Sequence, residues 1–270
     1  FITDAGRKLD DFSTPRDGER YFLIDTASNA SMINALSGFF NDPRLVSSQY
    51  KDAVFVDGTN TIGFKLGMSQ NVYRQTMGPR GGAPVVNGAG QGLTAGWANT
   101  GTLITNAWTA AAAQRVAAGD VFTVAGLTAV NPVTRQSTGQ LMQFVVLGNQ
   151  SSDAAGNLTL NISPAIITSG PFQNVTAAPT NGAALTFVGT ASTQYARNIA
   201  WHKSAFTLGC VDLVDVSELG AWGARRQWKG ISLRVVRQYA IATDTVPARV
   251  DVLYGWASPY PELAVQQIAA

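Results

Sequence analysis

The chain of 270 residues is long enough for one large or two moderate domains, and 46% of its residues are apolar. Only 13% of the residues are charged, about half the usual fraction, and the formal net charge is +2. This charge balance excludes the strongly basic surface of a tight nucleic-acid binder. The single cysteine excludes an intrachain disulfide, and the lack of an apolar run of about eighteen residues argues against a membrane span.

The first forty residues predict a helix, a strand and a second helix. Apolar residues recur at helical spacing from Ile2 to Phe12, and residues 21–25 form a short apolar run typical of a buried strand. An amphipathic pattern then predicts a helix over residues 27–40, which Pro43 ends. The N-cap candidates of this helix are Asp25, Thr26 and Ser28.

Residues 54–56 and 61–68 predict a strand pair with a turn that begins at Asp57 and Gly58. The chain then becomes rich in glycine over residues 77–101, which predicts a linker or a long flexible loop. Residues 110–118 are rich in alanine and predict one helical turn. Short strands separated by turn residues indicate a small barrel or sandwich, at residues 102–106, 121–130, 141–147, 158–162 and 185–188.

The chain returns to mixed α+β character from Asn198, so residues near 79–196 are predicted to be a β domain inserted into one parent domain. Near the end, residues 231–239 and 248–256 alternate apolar and polar side chains. This period of two predicts two long antiparallel strands with one buried face. Turn residues from Asp244 to Pro247 separate them, and Pro259 and Pro261 end the pairing.

Four segments of the sequence resemble the P22-type major capsid proteins of tailed bacteriophages, the gene 5 coat family. The resemblance extends over most of the chain. It implies an α+β, HK97-like phage capsid fold with an inserted all-β barrel domain. It implies that residues 1–78 are the first part of the shell core, mainly its axial domain, and that residues 79–196 are the insertion. Residues 197–270 would be the second part of the shell core, with the return of the axial domain and the C-terminal strands of the peripheral domain. The segments are KGISLRVVRQY (229–239) with RVDVLYGWASPYPELAV (249–265), HKSAFTL (202–208), NPVT (131–134) and GQLMQFVV (139–146).

The resemblance implies a structural coat protein that assembles into an icosahedral shell around double-stranded DNA. Its implied partners are many copies of itself, in hexamers and pentamers, together with scaffolding and portal proteins and weak, non-specific contact with the packaged DNA. Assembly is expected in the bacterial host cytoplasm, and no membrane is involved. An N-terminal arm, an extended loop and a spine helix belong to this family, and we expect them to be absent from this chain.

The residues that carry chemistry in enzymes are sparse, so we predict no catalytic, cofactor-binding or metal-binding residues. His202 is the only histidine, and Cys210 is roughly 26 Å from it along an extended strand, too far to share a metal. His202 is expected to be a structural histidine beside Trp201 and Phe206, and Cys210 a buried apolar residue. The glycines of residues 88–92 lack the strand and helix of a nucleotide site.

Arginine and tryptophan near the C-terminus give the strongest functional signal, because these residue types are enriched at interface hot spots. The cluster from Trp222 to Trp228 could contact a neighbouring subunit or nucleic acid, or form a loop whose tryptophans pack into the core of the subunit. We expect three further arginines on the polar faces of the terminal strands, paired with Asp251 and Glu262. The candidate inter-subunit contacts are Trp222, Arg225, Arg226, Trp228, Arg234, Arg237 and Arg249.

Two other classes of protein remain open at this stage. A β-rich phage tail or decoration module would need an exposed aromatic platform on the inserted domain, where Trp97 and Trp108 are the only tryptophans. An enzyme would need a pocket around His202. The absence of a catalytic constellation in the sequence favours the capsid protein over the enzyme.

Overall fold

The computed structural model describes residues 2–36, 60–61, 63–93, 96–216 and 222–268, in two compact units. The first unit comprises residues 1–202 and 262–270, and the second comprises residues 203–261. The first contains helices α1 (Ile2–Asp11) and α2 (Thr26–Leu36) and strands β1 (Arg20–Ile24), β2 (Asn60–Thr61), β3 (Phe64–Met68), β4 (Arg74–Thr76), β5 (Gly82–Val86), β6 (Gly101–Trp108), β7 (Gln114–Val116), β8 (Val121–Val130), β9 (Ser137–Val146), β10 (Gln150–Ser151), β11 (Leu158–Ser163), β12 (Leu185–Phe187), β13 (Gln194–His202) and β19 (Ala264–Ile268). The second contains β14 (Thr207–Val211), β15 (Trp222–Trp228), β16 (Ile231–Arg237), β17 (Ala248–Asp251) and β18 (Leu253–Ala257).

One sheet of the first unit, here called the open sheet, has the strand order β19-β13-β1-β3-β2, with β4 paired to the start of β13. Helix α1 packs on it through Ile2, Ala5 and Leu9, which the helical period brings to one side. The predicted first helix and first strand are thus confirmed. Strand β19 was not predicted, because the two prolines before it end the preceding strand but do not prevent a new one.

Helix α2 begins where the capping analysis predicts, because the Asp25 carboxylate accepts a hydrogen bond from the backbone N–H of Ser28. Met32 and Ile33 pack against the core of the open sheet, as their spacing predicts. The predicted helix residues 37–40 and the predicted strand at 54–56 with its turn lie outside the described residues.

The continuous strand predicted over residues 61–68 is wrong. Thr61 pairs with Phe64 in an antiparallel hairpin, so the chain reverses between β2 and β3. Gly63 adopts a φ of +80°, a conformation that costs glycine little and makes the reversal possible. The predicted alternation holds for β3 itself, where Phe64 and Leu66 are buried.

The second sheet of the first unit has the strand order β12-β8-β9-β11-β6-β5. The Val86 N–H donates to the Ala183 carbonyl, and the Gly182 N–H donates to the Val86 carbonyl, so β5 returns to the segment before β12. We call this second sheet, from β12 to β5, the closed sheet. Its interior is a continuous apolar core that includes Phe122, Phe144 and Leu160. The five predicted strands of this region are confirmed within a few residues of their predicted ends.

Two predictions within this region are wrong. The glycine-rich segment 77–101 is not simply a linker, because it contains β5, which pairs with β6 through Val85 and Val86. The alanine-rich segment 110–118 forms no helical turn; bends at residues 110–113 lead into the short strand β7. Arg115 stabilises this conformation, because its buried guanidinium donates hydrogen bonds to the carbonyls of Thr109 and Ala111.

The second unit contains a three-stranded antiparallel sheet, β15-β16-β17, and a two-stranded sheet, β14-β18. The predicted antiparallel pairing of the two C-terminal runs is confirmed between β16 and β17. The second run is not one strand, however, because β17 ends at Asp251 and β18 pairs with β14 from Leu253 onward. Within the described part of the chain, neither helix has the length and apolar character needed to cross a membrane.

Candidate inter-subunit surface

The register of the three-stranded sheet determines which side chains share a side, because directly opposite residues of antiparallel strands project the same way. Trp222 lies opposite Arg237, and Trp228 lies opposite Ile231. Val235 lies between Ala224 and Val250. We call this side the open face; its residues are Trp222, Ala224, Arg226, Trp228, Ile231, Leu233, Val235, Arg237, Ala248 and Val250.

Every residue of the open face is solvent-exposed. Trp222 and Trp228 are 71% and 69% exposed, and Val250 is 66% exposed. The buried face predicted for these two strands is therefore wrong for this chain by itself. The alternation identified the strands and their apolar side correctly, but that apolar side faces solvent.

The opposite side of the same sheet, which we call the covered face, is largely polar and is partly covered by a segment of its own unit. Arg225 donates to the Leu213 carbonyl and Arg234 donates to the Val214 carbonyl, each at 3.1 Å. Ser232, also on this side, is only 3% exposed. The residues of the covered face are Gly223, Arg225, Gln227, Ser232, Arg234, Val236, Arg249 and Asp251.

Asp251 joins two of the arginines on the covered face. Its carboxylate lies 2.7 Å from Arg234 and 2.8 Å from Arg249, which confirms the predicted pairing of these arginines with Asp251. The hydrogen bonds from Arg234 and then from Arg249 lower the pKa of Asp251. Because Arg234 and Asp251 are directly opposite across β16 and β17, the pair favours the observed register over a one-residue slip.

One prediction and one of the alternatives considered for this sheet need correction. Arg237 does not lie on the polar side of its strand, since it shares the open face with Val235 and Trp222. The segment from Trp222 to Trp228 is a strand rather than a loop, and its two exposed tryptophans do not pack into a core.

The arrangement of polar and apolar side chains in this sheet is the reverse of that in an ordinary half-buried sheet. The polar side is partly covered by its own chain, around Ser232 and Arg234, whereas every residue of the apolar side is exposed, including its tryptophans, branched aliphatic residues and two arginines. Monomeric soluble proteins rarely leave a contiguous apolar patch of this kind exposed, and such patches mark sites of contact with other proteins. Tryptophan and arginine are also the residues most enriched at interface hot spots.

His202 and Cys210, which were considered for catalysis and metal binding, make contacts with neighbouring residues of the fold. His202 is buried, and its Nε2 lies 3.2 Å from both carboxylate oxygens of Asp17. Cys210 is half-buried rather than buried as predicted. Its Sγ accepts a hydrogen bond from the backbone N–H of Ser232 at 3.2 Å. Within the described ranges, no three His, Cys, Asp or Glu side chains are grouped to hold a metal ion.

The aromatic platform required for a tail or decoration module is not formed by its two tryptophans. Trp97 is exposed, but Trp108 is buried in the closed sheet, where its indole N–H donates to the Thr105 hydroxyl at 2.8 Å. Trp108 also packs edge-on against Phe187. It is therefore part of the core of the closed sheet and is not available to bind a ligand.

An exposed apolar face that carries tryptophan and arginine is typical of proteins that associate with other protein chains. The chain belongs to the P22 coat protein, gene protein 5, family, whose family model matches residues 1–269. It is accordingly a bacteriophage major capsid protein, a structural component of the virion. Its mostly-strand α+β fold with few helices fits such a protein.

A solved structure described as the CUS-3 coat protein I-domain is also similar to this chain. The two are 27% identical, and the match covers 40% of this chain and 96% of that chain. The TM-score is 0.29, which is too low to carry an argument about the fold. A search of curated proteins found no match.

Proposed function

We propose that this capsid protein builds an icosahedral shell with an HK97-type subunit fold, and that the open face binds a second copy of the chain. The observation that carries this proposal is the apolar side of the sheet β15-β16-β17, which is exposed at every residue, while the polar side of the same sheet is partly covered by its own chain. A shell subunit meets copies of itself on several sides. Burying the open face against such a copy removes the apolar patch from water.

In this proposal the open face supplies four of the candidate contact residues, namely Trp222, Arg226, Trp228 and Arg237. Truncation of a central tryptophan at an interface costs about 2 kcal/mol or more of binding free energy. Arg225, Arg234 and Arg249 have a different part, because their contacts are with Leu213, Val214 and Asp251 of their own unit. The Arg234–Asp251 pair favours the observed register of the sheet, and Arg225 and Arg234 bind the segment of Leu213 and Val214 to the covered face.

The proposal includes a domain organisation in which residues 79–196 form a barrel inserted between two parts of the shell core, 1–78 and 197–270. Strand β4 pairs with the start of β13, with Thr76 opposite Gln194. The two ends of the insertion therefore lie side by side, which is the geometry that domain insertion requires. The hydrogen bonds that close the sheet between β5 and the segment before β12 support the barrel.

The remaining partners of the proposal follow from the family. We expect a scaffolding protein and a portal protein to take part in assembly, which takes place in the cytoplasm of the host. Contact with packaged DNA is expected to be weak and non-specific, because the formal net charge of the chain is only +2. The protein acts through assembly, without a catalytic step.

The test is electron microscopy of the full-length gene product expressed with its scaffolding partner. We expect closed shells of uniform diameter from the unaltered protein. The double substitution Trp222→Ala with Trp228→Ala is expected to leave a folded subunit that assembles poorly, because both side chains are exposed and their removal opens no cavity. Circular dichroism of the unassembled subunit checks that it is folded.

The matched control is Gln227→Ala, an exposed residue of the same strand on the covered face. It should assemble like the unaltered protein. Folded, unaltered subunits that form only monomers or small oligomers with scaffolding protein would overturn the shell proposal. Normal shells from the double tryptophan variant would overturn only the assignment of the open face.

A further inference from the structure

The closed sheet is connected to the open sheet by two chain passages, residues 77–81 and 188–193, which lie side by side. The Met77 N–H donates to the Thr193 carbonyl at 3.0 Å. The guanidinium of Arg80 then donates to the carbonyls of Val188 and Gly189, at 2.9 and 2.6 Å. Two adjacent passages of this kind form one hinge. A hinge by itself leaves the closed sheet free to swing relative to the open sheet.

Arg197 of β13 reaches across this hinge to the turn that precedes β8. Its Nε and Nη2 donate to Gln75 Oε1 at 3.0 and 2.7 Å, and its Nη2 also donates to the Gly119 carbonyl at 2.7 Å. The Gln75 amide in turn donates to the Ala118 carbonyl. Arg197 is only 6% exposed, so a guanidinium that lost these partners would be left buried without them, at high cost.

Asp120 completes the attachment at this end of β8. Its side chain is fully buried, and it accepts hydrogen bonds from the backbone N–H groups of Gly78 and Ala117, each at 3.1 Å. Gly78 belongs to the hinge and Ala117 to the turn, so one carboxylate joins the two. Burial lowers the pKa of Arg197, while the nearby Asp120 charge opposes that change.

The other end of β8 has its own attachment to the remainder of the unit. Asn131 follows β8 directly, and its Nδ2 donates to the Asp11 carbonyl and the Ser13 hydroxyl, each at 2.8 Å. Phe12, between those two residues, packs against the apolar core of the closed sheet. The end of helix α1 is thus fixed to the closed sheet at a place separate from the hinge.

The two attachments are well separated because β8 is a ten-residue strand, Val121–Val130. At a rise of about 3.3 Å per residue, a straight strand of this length would span on the order of 30 Å. The pairing of β8 with β9 is irregular between Thr123 and Val130, and Gly126 has a φ of +83°, so the separation of its ends is smaller than this limit. A body held only at its hinge can rotate, whereas one held at two such distant places cannot. The geometry therefore points to β8 as the strand that fixes the orientation of the closed sheet on the open sheet. It is attached at one end through Arg197 and at the other through Asn131, and we call these two attachments the clamps.

This inference rests on the proposed shell function, because orientation matters only where the closed sheet must meet neighbouring subunits at a fixed angle. Arg197 and Asn131 are positioning residues in this account. Removing either clamp should leave the apolar cores of the closed sheet and the open sheet intact and change the angle between the two sheets. The expected consequence is a shell of irregular curvature built from folded subunits.

Arg115 provides the matched control for Arg197. It is also buried, at 8% exposure, and its guanidinium binds Ser152 Oγ and three carbonyl groups, those of Arg80, Thr109 and Ala111. Three of these partners, Ser152, Thr109 and Ala111, lie away from the hinge, and only the Arg80 carbonyl belongs to it. Arg115→Met therefore removes comparable buried hydrogen bonds and leaves the contacts of Arg197 and Asn131 in place. Both variants should lower the temperature of unfolding. Only Arg197→Met should change the orientation of the closed sheet.

The experiment compares unaltered protein, Arg197→Met, Asn131→Ala and Arg115→Met, each as the full chain with scaffolding protein, by electron microscopy and amide hydrogen exchange. In Arg197→Met we expect a broad distribution of shell diameters, and exchange at the Met77 and Gly78 amides roughly tenfold faster than in the unaltered protein. Arg115→Met should retain both the diameter and these exchange rates. Arg197→Lys, which keeps the charge, should recover part of the uniformity.

Uniform shells of normal diameter from Arg197→Met would overturn the proposal, as would equal irregularity from Arg115→Met. If Arg197→Met does not fold, Asn131→Ala tests the proposal instead, because Asn131 lies at the surface in a hairpin and its replacement should not prevent folding. Uniform Asn131→Ala shells with unchanged exchange at Asp11 and Ser13 would then contradict it. If the unaltered protein forms no shells, the shell function fails; exchange at Met77 and Gly78 in the unassembled subunit still tests the clamp.

Discussion

Asp4 shows how a single side chain can join the two termini of the first unit. Its carboxylate accepts a hydrogen bond from Gln267 of β19 at 2.9 Å and lies 2.9 Å from Arg7 and 3.2 Å from Lys8 on its own helix. Burial raises the pKa of Asp4, but the hydrogen bonds from Gln267 and Arg7 and the proximity of Lys8 outweigh burial and lower the pKa to about 2.

This lowered pKa predicts a defined pH dependence of stability. A carboxyl group with a pKa lowered from 3.8 to about 2 on folding stabilises the protein above pH 3.8, and the contribution is lost as the pH falls to about 2. Asp4→Asn should therefore lose stability at pH 6 and show a weaker decrease between pH 4 and pH 2. Thermal unfolding of both proteins across this range measures the difference.

Gln267→Ala is the companion variant for this prediction. It keeps the carboxylate but removes one of its hydrogen bonds, so the pKa of Asp4 should rise towards 3.8 and the pH-dependent range should narrow. Identical slopes for unaltered protein and Asp4→Asn between pH 4 and pH 2 would show that Asp4 does not contribute.

At the scale of elements, the glycine-rich segment shows that composition does not separate a linker from a strand. Gly82 begins β5 with a φ of +78°, and a Cβ placed on it would lie 2.4 Å from the Ala107 carbonyl oxygen. Glycine is needed there so that β5 can approach β6 closely. Gly90, in the loop that follows, also has a positive φ, but nothing lies within 4 Å of its Cβ position.

These two glycines give a matched pair of substitutions. Gly90→Ala should cost about 1–2 kcal/mol, from backbone strain alone. Gly82→Ala meets the same strain and also a clash with backbone atoms, so it should cost at least about 2 kcal/mol more. Urea unfolding of the unassembled subunit provides both values. Equal costs at the two positions would show that β5 does not require the close approach.

At the scale of the whole molecule, residues 79–196, which we propose to be an insertion, contain an apolar core and are attached to the open sheet at the hinge and at the end of α1. The ends of this segment are adjacent, since Thr76 pairs with Gln194. If residues 79–196 were deleted, a short linker could therefore join the two remaining parts of the chain without moving β4 or β13.

Deletion of residues 79–196 with such a linker should give a subunit that unfolds at lower temperature or assembles into shells of the wrong size. The physical reason is the loss of Asn131, which binds Asp11 and Ser13, and of the Gly119 carbonyl, which binds Arg197. Differential scanning calorimetry and electron microscopy check the two outcomes. Normal shells with unchanged stability would show that the insertion has neither role.

The sequence by itself determined the features that depend on neighbours along the chain. Periodicity located helix α1 and strand β1, and it placed β8 at residues 121–130, as observed. Capping chemistry placed the start of α2 near Asp25, Thr26 and Ser28, and the structure shows that Asp25 is the capping residue. The alternation in β16 and β17 determined both their pairing and which side of each is apolar, because side chains alternate strictly in an extended chain.

Only the tertiary structure decided which side of β16 is covered, since that depends on Leu213 and Val214, which reach the sheet through Arg225 and Arg234. It also decided the role of Arg197, whose partners Gln75 and Gly119 are far from it in the sequence. The physical reason is common to both cases. Local patterns describe how a segment can bury a surface, whereas the segment that buries it comes from a distant part of the chain or from another molecule.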